Sequence, residues 1–257
     1  METPTALTCL SARQDVGPMT NDVPLVGRAA IVTGASSGLG RATTAALAHR
    51  GAGVVATARR KELLDELVAE LAEAPGRVLA VACDVGRAKD VDALVATAQR
   101  ELGGVDALVN NAALDHRGPI TELTVAQWDE VIAVDLSGAF YAARAVFPLM
   151  ASRGGGTIVN VSSVAGRKGW AGAAAYCAAK FGLTGLTHAI NAEGAEHDIR
   201  CCVLYPGGMD TDWMPGEHPE SLAPSAVADI IAAMISQPPG VIVNELVVTP
   251  PGERGYP

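Results

Sequence analysis

Short runs of Val, Ile, Leu and Ala alternate along the chain with longer stretches in which apolar residues return every third or fourth place. RAAIVTG (28–34), GVVATA (53–58), RVLAVACDV (77–85), VDALVNNAA (105–113), GGTIVNVSS (155–163), IRCCVLYPG (199–207) and GVIVNELVV (240–248) read as strands. Most are apolar almost throughout rather than at alternate positions, which predicts burial on both faces. The stretches 39–52, 60–74, 88–102, 124–152, 174–197 and 225–237 carry the helical period. Their punctuation agrees: Thr124 is a natural N-cap, Gly51 a natural C-cap, and Pro75–Gly76 closes the second helix. Pro148 is expected to kink the long fifth segment near its end.

About seven strands with six intervening helices predict right-handed crossovers and a parallel sheet. The fold class is α/β, a doubly wound Rossmann-type sheet flanked by helices in one domain over residues 25–257, with residues 1–24 a disordered extension. Either Met1 or Met19 can serve as the start. Such sheets bind ligands beyond the carboxyl ends of their strands, so the residues that end strands carry the functional information.

The first strand runs into TGASSGLG. Gly34, Gly38 and Gly40 allow a tight turn and close backbone approach, and the helix that follows offers free N–H groups and a positive dipole end to a diphosphate. Ser36 and Ser37 add hydroxyls, and Leu39 lies within the same turn. The second strand ends in Ala58, where an acid would hold the ribose of NAD, and Arg59 and Arg60 follow. Guanidinium groups without that acid favour a 2′-phosphate, hence NADP(H), with NAD(H) the alternative. Asp84 and Val85 end the third strand. Asp84 can reach the adenine edge or cap the next helix. Asn111 and Ala112 end the fourth, small enough for a flat ring to approach, with Asn111 able to tie neighbouring strand ends together.

In AAAYCAAKFG (173–182), Tyr176 and Lys180 are spaced i, i+4 and share a helix face. A free tyrosine has a pKa of about 10, and a nearby ammonium lowers it toward the range useful for acid–base work. Cys177 points elsewhere and reads as a small buried thiol.

Composition narrows the classes. The 257 residues carry a net charge of −9, which argues against nucleic acid or an anionic membrane as partner. No run reads as long and apolar enough to cross a bilayer, and the N-terminal stretch lacks the features of a signal peptide. Five cysteines with no metal spacing read as free thiols in a reducing cytosol, so a cytoplasmic protein without a metal site is expected.

TGASSGLG, NNAA, the Ser162–Ser163 pair after a strand, YCAAK and the PG of LYPGG, in this order, resemble the short-chain dehydrogenases/reductases over residues 25–250, and the arginine after the second strand resembles their NADP-preferring members. The resemblance implies hydride transfer between nicotinamide and a ketone or secondary alcohol. It assigns Ser163, Tyr176 and Lys180 to catalysis and Lys180 also to the ribose. It places Pro206, Gly207 and Thr211 against the nicotinamide. It further implies a homotetramer or homodimer packed through the two long helices. One position departs from the pattern. Asp135 stands in VIAVDLSGAF where members usually carry an Asn that holds a relay water, so a retained but retuned proton relay is expected. Leu114, Arg167, Trp170 and Trp213 are the expected substrate contacts. The chain end lacks the Asp-Gly-Gly of fatty-acyl ketoreductases, which argues against a carrier-protein substrate.

Overall fold

The computed structural model of the chain describes residues 24–211 and 221–253. Its centre is a sheet of seven strands, β1 (Ala29–Thr33), β2 (Gly53–Ala58), β3 (Val78–Ala82), β4 (Ala107–Asn110), β5 (Gly156–Val161), β6 (Ile199–Pro206) and β7 (Glu245–Val248). They run in the order β3-β2-β1-β4-β5-β6-β7, and every neighbouring pair is parallel. The helices are α1 (Gly38–His49), α2 (Lys61–Glu70), α3 (Ala88–Leu102), α4 (Val125–Ile132), α5 (Gly138–Ser152), α6 (Ala174–Gly194) and α7 (Pro224–Ile235).

Both faces of the sheet are covered, as the unbroken apolar strands require. Ala30, Val32 and Val54 pack with Leu39, Leu47, Leu64 and Ile231, so α1, α2 and α7 cover one face. Ile31, Val55, Leu108 and Ile158 pack with Leu94, Val146, Met150 and Ile190, so α3, α5 and α6 cover the other. The chain order reverses between β1 and β4, and their carboxyl ends part there to open a crevice.

Most expected boundaries hold within a few residues. Thr124 caps α4 in a full capping box with Gln127. Gly51 follows α1 with φ +88° and donates its N–H to the Ala48 carbonyl. The last strand is shorter than its apolar pattern suggested, because residues 237–241 wrap the guanidinium of Arg200, which donates to the carbonyls of Gln237, Pro238 and Val241.

The long helix differs from expectation in two ways. The segment Val125–Ser152 is, by length and composition, long and apolar enough to cross a membrane, against the sequence reading. Here one face of it packs on the sheet, with Ala142, Ala143, Val146 and Met150 buried there. The helix also continues through Pro148, and its irregularity lies a turn and more earlier, in a π-helical stretch over Ala133–Ser137 between α4 and α5. Asp135 sits in that stretch, 2% exposed.

Candidate active site

The carboxyl ends of β1 through β6 frame a cleft of about 430 Å³. Gly34, Ser36, Ser37, Gly38 and Leu39 form one wall, with Ala58, Arg59, Arg60, Asp84 and Val85 beside them. Asn111, Ala112 and Leu114 lie at the switch point, and Ser163, Trp170, Tyr176, Lys180, Pro206, Gly207 and Thr211 complete it.

The nucleotide wall is built by backbone economy. Gly34 has φ +69°, and a Cβ there would lie 2.8 Å from the Cα of Ala112. Gly40 stands behind the turn rather than on the cleft: a Cβ would lie 2.3 Å from the Gly34 carbonyl oxygen, so its bare backbone lets α1 pack against β1. Ser37 is the N-cap of α1 but makes no side-chain capping bond, and no acid occupies the first turn. The positive end of α1 therefore faces the cleft uncompensated by a carboxylate of its own first turn, a donor set suited to a diphosphate.

The two arginines after β2 separate in role. Arg60 Nη2 donates to Ser36 Oγ at 3.0 Å and Ser37 Oγ at 3.1 Å, which fixes its guanidinium over the glycine-rich turn. Arg59 is exposed and lies 3.9 Å from Glu130. Asp84 lines the cleft, but it does not cap the next helix: the N-cap of α3 is Arg87, with no side-chain capping bond, and Asp84 instead accepts the Gly86 N–H on Oδ1 and pairs with Arg87 through Oδ2.

Ser163, two residues past the end of β5, caps a short 3₁₀ stretch over Val164–Gly166, its Oγ accepting from Ala165 N at 3.1 Å. That stretch lies directly on α6. A Cβ on Gly166 would meet Ser162 Oγ at 2.3 Å, and Ser162 Oγ itself donates to the Lys180 carbonyl. A buried chain ties α6 down further: Asn110 Nδ2 donates to Asn160 Oδ1, and Asn160 Nδ2 to Thr187 Oγ1, both at 2.8 Å. The small residues of the helix allow this close packing, and they bring Tyr176 and Lys180 to the cleft.

Lys180 is 2% exposed. Its Nζ lies 5.4 Å from the Tyr176 ring centroid, donates to the Val161 carbonyl at 3.2 Å and pairs with Asp135 Oδ2 at 3.3 Å. Asp135 Oδ1 accepts the Leu114 N–H at 2.8 Å. Burial pushes the Asp135 carboxyl up to about 6, against the lowering influence of Lys180 and of the Leu114 N–H. Tyr176 is also raised. Burial is the largest cause; Lys180 and the hydrogen-bonded Ser163 hydroxyl pull it down, while Asp135 and Asp115 push it up. The expected lowering by the lysine is thus present, but burial outweighs it.

Some residues fall elsewhere. Arg167 is absent from the cleft wall among the described residues; it pairs with Glu245 at 3.0 Å and stacks 5.1 Å over the Tyr205 ring, which draws it off the expected substrate position. Trp213 lies outside the described residues. Cys177 is buried and its Sγ accepts the Trp170 N–H, as expected of a packing thiol. The cleft-lining Cys83 is pushed up to about 11, first by burial, and so stays a neutral thiol. His116 is held by Glu130 at 2.9 Å.

Two residues went unread in the sequence. Arg117 lines the cleft, and the Asp115 side chain is only 5% exposed, its Oδ2 on Arg117 Nε at 3.1 Å and its Oδ1 without a hydrogen-bond partner. The signal available was their place directly after NNAA.

A family described as short chain dehydrogenase matches residues 28–221. The chain is 35% identical over 254 residues to Dehydrogenase/reductase SDR family member 4 of Homo sapiens, which covers 93% of this chain and 91% of that protein. Among solved structures, an alcohol dehydrogenase from the archaeon Thermococcus sibiricus complexed with 5-hydroxy-NADP superposes with a TM-score of 0.83 at 27% identity, covering 89% of this chain and 98% of the other. A metagenomic short-chain oxidoreductase in complex with NADP does so with a TM-score of 0.80 at 34% identity, covering 88% and 98%.

Proposed function

This chain belongs to the short-chain dehydrogenase family, and from that premise we propose that it is an NADP(H)-dependent oxidoreductase that interconverts a ketone and a secondary alcohol, with Tyr176 as general acid and base. The observation that carries the reading is the meeting, in one cleft, of Ser163, Tyr176 and Lys180 with a glycine-rich helix start and an anchored guanidinium.

The residues suit the dinucleotide. The diphosphate would be held by the α1 N-terminus and the Ser36 and Ser37 hydroxyls. The 2′-phosphate would be held by Arg60, with Ala58 leaving no carboxylate to repel it. Two of the similar solved proteins were determined with NADP or a derivative of it, which supports the same choice. Lys180 would reach the ribose, and Gly207 with Thr211 would border the nicotinamide. When bound, the nucleotide supplies the hydride.

The chain's own part is proton chemistry. Ser163 donates a hydrogen bond to the substrate oxygen as negative charge builds on it. Tyr176 gives that oxygen its proton in reduction and takes it back in oxidation. Lys180, held by the Val161 carbonyl and Asp135, sets the field around the phenol. Leu114, Trp170 and Arg117 border the substrate end. Second copies would pack through the exposed Phe140 and Phe181 on α5 and α6.

Titrating the protein with NADPH and with NADH tests the cofactor choice. The reading predicts tighter binding of NADPH by about ten- to a hundredfold, the scale of one or two charge-assisted hydrogen bonds. Equal or tighter binding of NADH would assign the site to NAD instead.

A further inference from the structure

Lys180 is the cation against Tyr176, yet two carboxylates bear on the same buried space. Asp135 is locked in place, Oδ1 on the Leu114 N–H and Oδ2 3.3 Å from Lys180 Nζ. Oδ2 has no well-aligned hydrogen bond, so its contact with the lysine is one of charge. Asp115, next to Leu114 in the chain, brings a second, nearly buried carboxylate with one oxygen unpartnered. Both act on Tyr176 in the sense opposite to Lys180.

The surroundings leave few other charges to confuse the assignment. From α6 the groups facing Asp135 are Lys180 and Tyr176, and from the loop after β4 it is Asp115, itself paired with Arg117 at 3.1 Å. On α4, Glu130 is turned to His116 and Arg59, and Asp129 is exposed. On α5, Arg144 is exposed and paired with Asp92.

We propose that Asp135, reinforced by Asp115, is a positioning residue that offsets the field of Lys180 at Tyr176 and so holds the phenol in its protonated form to higher pH. A unit negative charge 3.3 Å from the ammonium, both groups being only 2% exposed, cancels much of the cation's field at the ring beyond it. Lys180 and the Leu114 N–H both favour the charged carboxylate of Asp135 against burial, and the offset acts wherever that carboxyl is ionised. Asn at this position would keep an oxygen for the Leu114 N–H and lose the charge.

The consequence falls on the proton step proposed above. In reduction a hydride adds to the carbonyl carbon, the carbonyl oxygen takes the proton of Tyr176 Oη, and the resulting phenolate is reprotonated from solvent. In oxidation the phenolate takes the hydroxyl proton as the hydride leaves carbon. Holding the phenol protonated extends reduction to higher pH and moves the rise of oxidation to higher pH. Both profiles shift together, because the overall equilibrium is not the protein's to change.

This inference rests on the proposed role of Tyr176, but its test does not need turnover. The phenolate absorbance of the ligand-free protein is titrated with pH for wild type and for Asp135→Asn, each corrected by the same protein carrying Tyr176→Phe. The Tyr176 midpoint falls by about one pH unit or more in Asp135→Asn, the scale of one close charge. It falls by less in Asp115→Asn, which also decides the matter if Asp135→Asn does not fold. A midpoint unchanged or raised in the folded variants overturns the proposal. If the midpoints shift but no carbonyl is reduced by the wild type, the function proposed above fails while the electrostatic inference stands. If the wild type is active and the midpoints do not move, the reverse holds.

Discussion

Asn111 Nδ2 lies 3.0 Å from the carbonyl oxygen of Thr33, so a side chain at the end of β4 closes the backbone of β1 where the two strands part. Thr33 answers with its hydroxyl, which accepts the N–H groups of Asn111 and Ala112 at 2.9 and 3.0 Å and donates to the Val109 carbonyl. The crevice is therefore held open by hydrogen bonds rather than by packing. Replacing Asn111 by Ala leaves the Thr33 carbonyl short of a donor at a cost of about 1–3 kcal/mol. Thermal unfolding should show a fall of about 2–12 °C in Tm, with weaker nucleotide binding. An unchanged Tm would mean that the link is structurally idle.

Arg60 and Arg59 make separable predictions. Arg60 is oriented by two serine hydroxyls, whereas Arg59 has only a loose pairing with Glu130 at 3.9 Å. Arg60→Ala should weaken NADPH binding by about ten- to a hundredfold and leave NADH nearly unchanged. Arg59→Ala should have the smaller effect. Calorimetric titration of both variants with both nucleotides measures this, and the opposite ranking would place the phosphate on Arg59.

Asp135 also marks the stability profile. Its carboxyl is raised from the ordinary 3.8 to about 6, chiefly by burial. The folded state therefore binds this proton more tightly than the unfolded chain, and the group's contribution is fully present below pH 3.8 and lost as pH rises through 6. The unfolding free energy of wild type, relative to Asp135→Asn, should decline across that window and level off above it. Urea unfolding at several pH values checks the sign; a rise across the window would show the Lys180 pair winning over burial.

Much of this was legible from the residues. The parallel, doubly wound sheet follows from unbroken apolar runs alternating with helical periods, and strand ends located the cleft because parallel sheets bind there. Tyr176 and Lys180 share a face by spacing alone. What stayed hidden depended on contacts distant in sequence. Arg167 looked like a cleft residue until Glu245, on the last strand, was seen to hold it. Residues 240–244 looked like strand because the demand of Arg200 for their neighbours' carbonyls leaves no trace in hydropathy. Asp115 went unnoticed because an Asp in a loop carries no mark of burial; only the fold places it beside the relay. The π-helical stretch around Asp135 likewise breaks no local rule of the sequence.

The most direct test of the central claim is the rate of NADPH oxidation with a panel of ketones and aldehydes, compared between wild type and Tyr176→Phe. The ring and its packing survive in that variant while the proton is lost. The account predicts turnover of at least one carbonyl by the wild type and a loss of about 10²–10⁴-fold in kcat/KM for the variant. A Tyr176→Phe protein that reduces the same carbonyl as fast as wild type would contradict it.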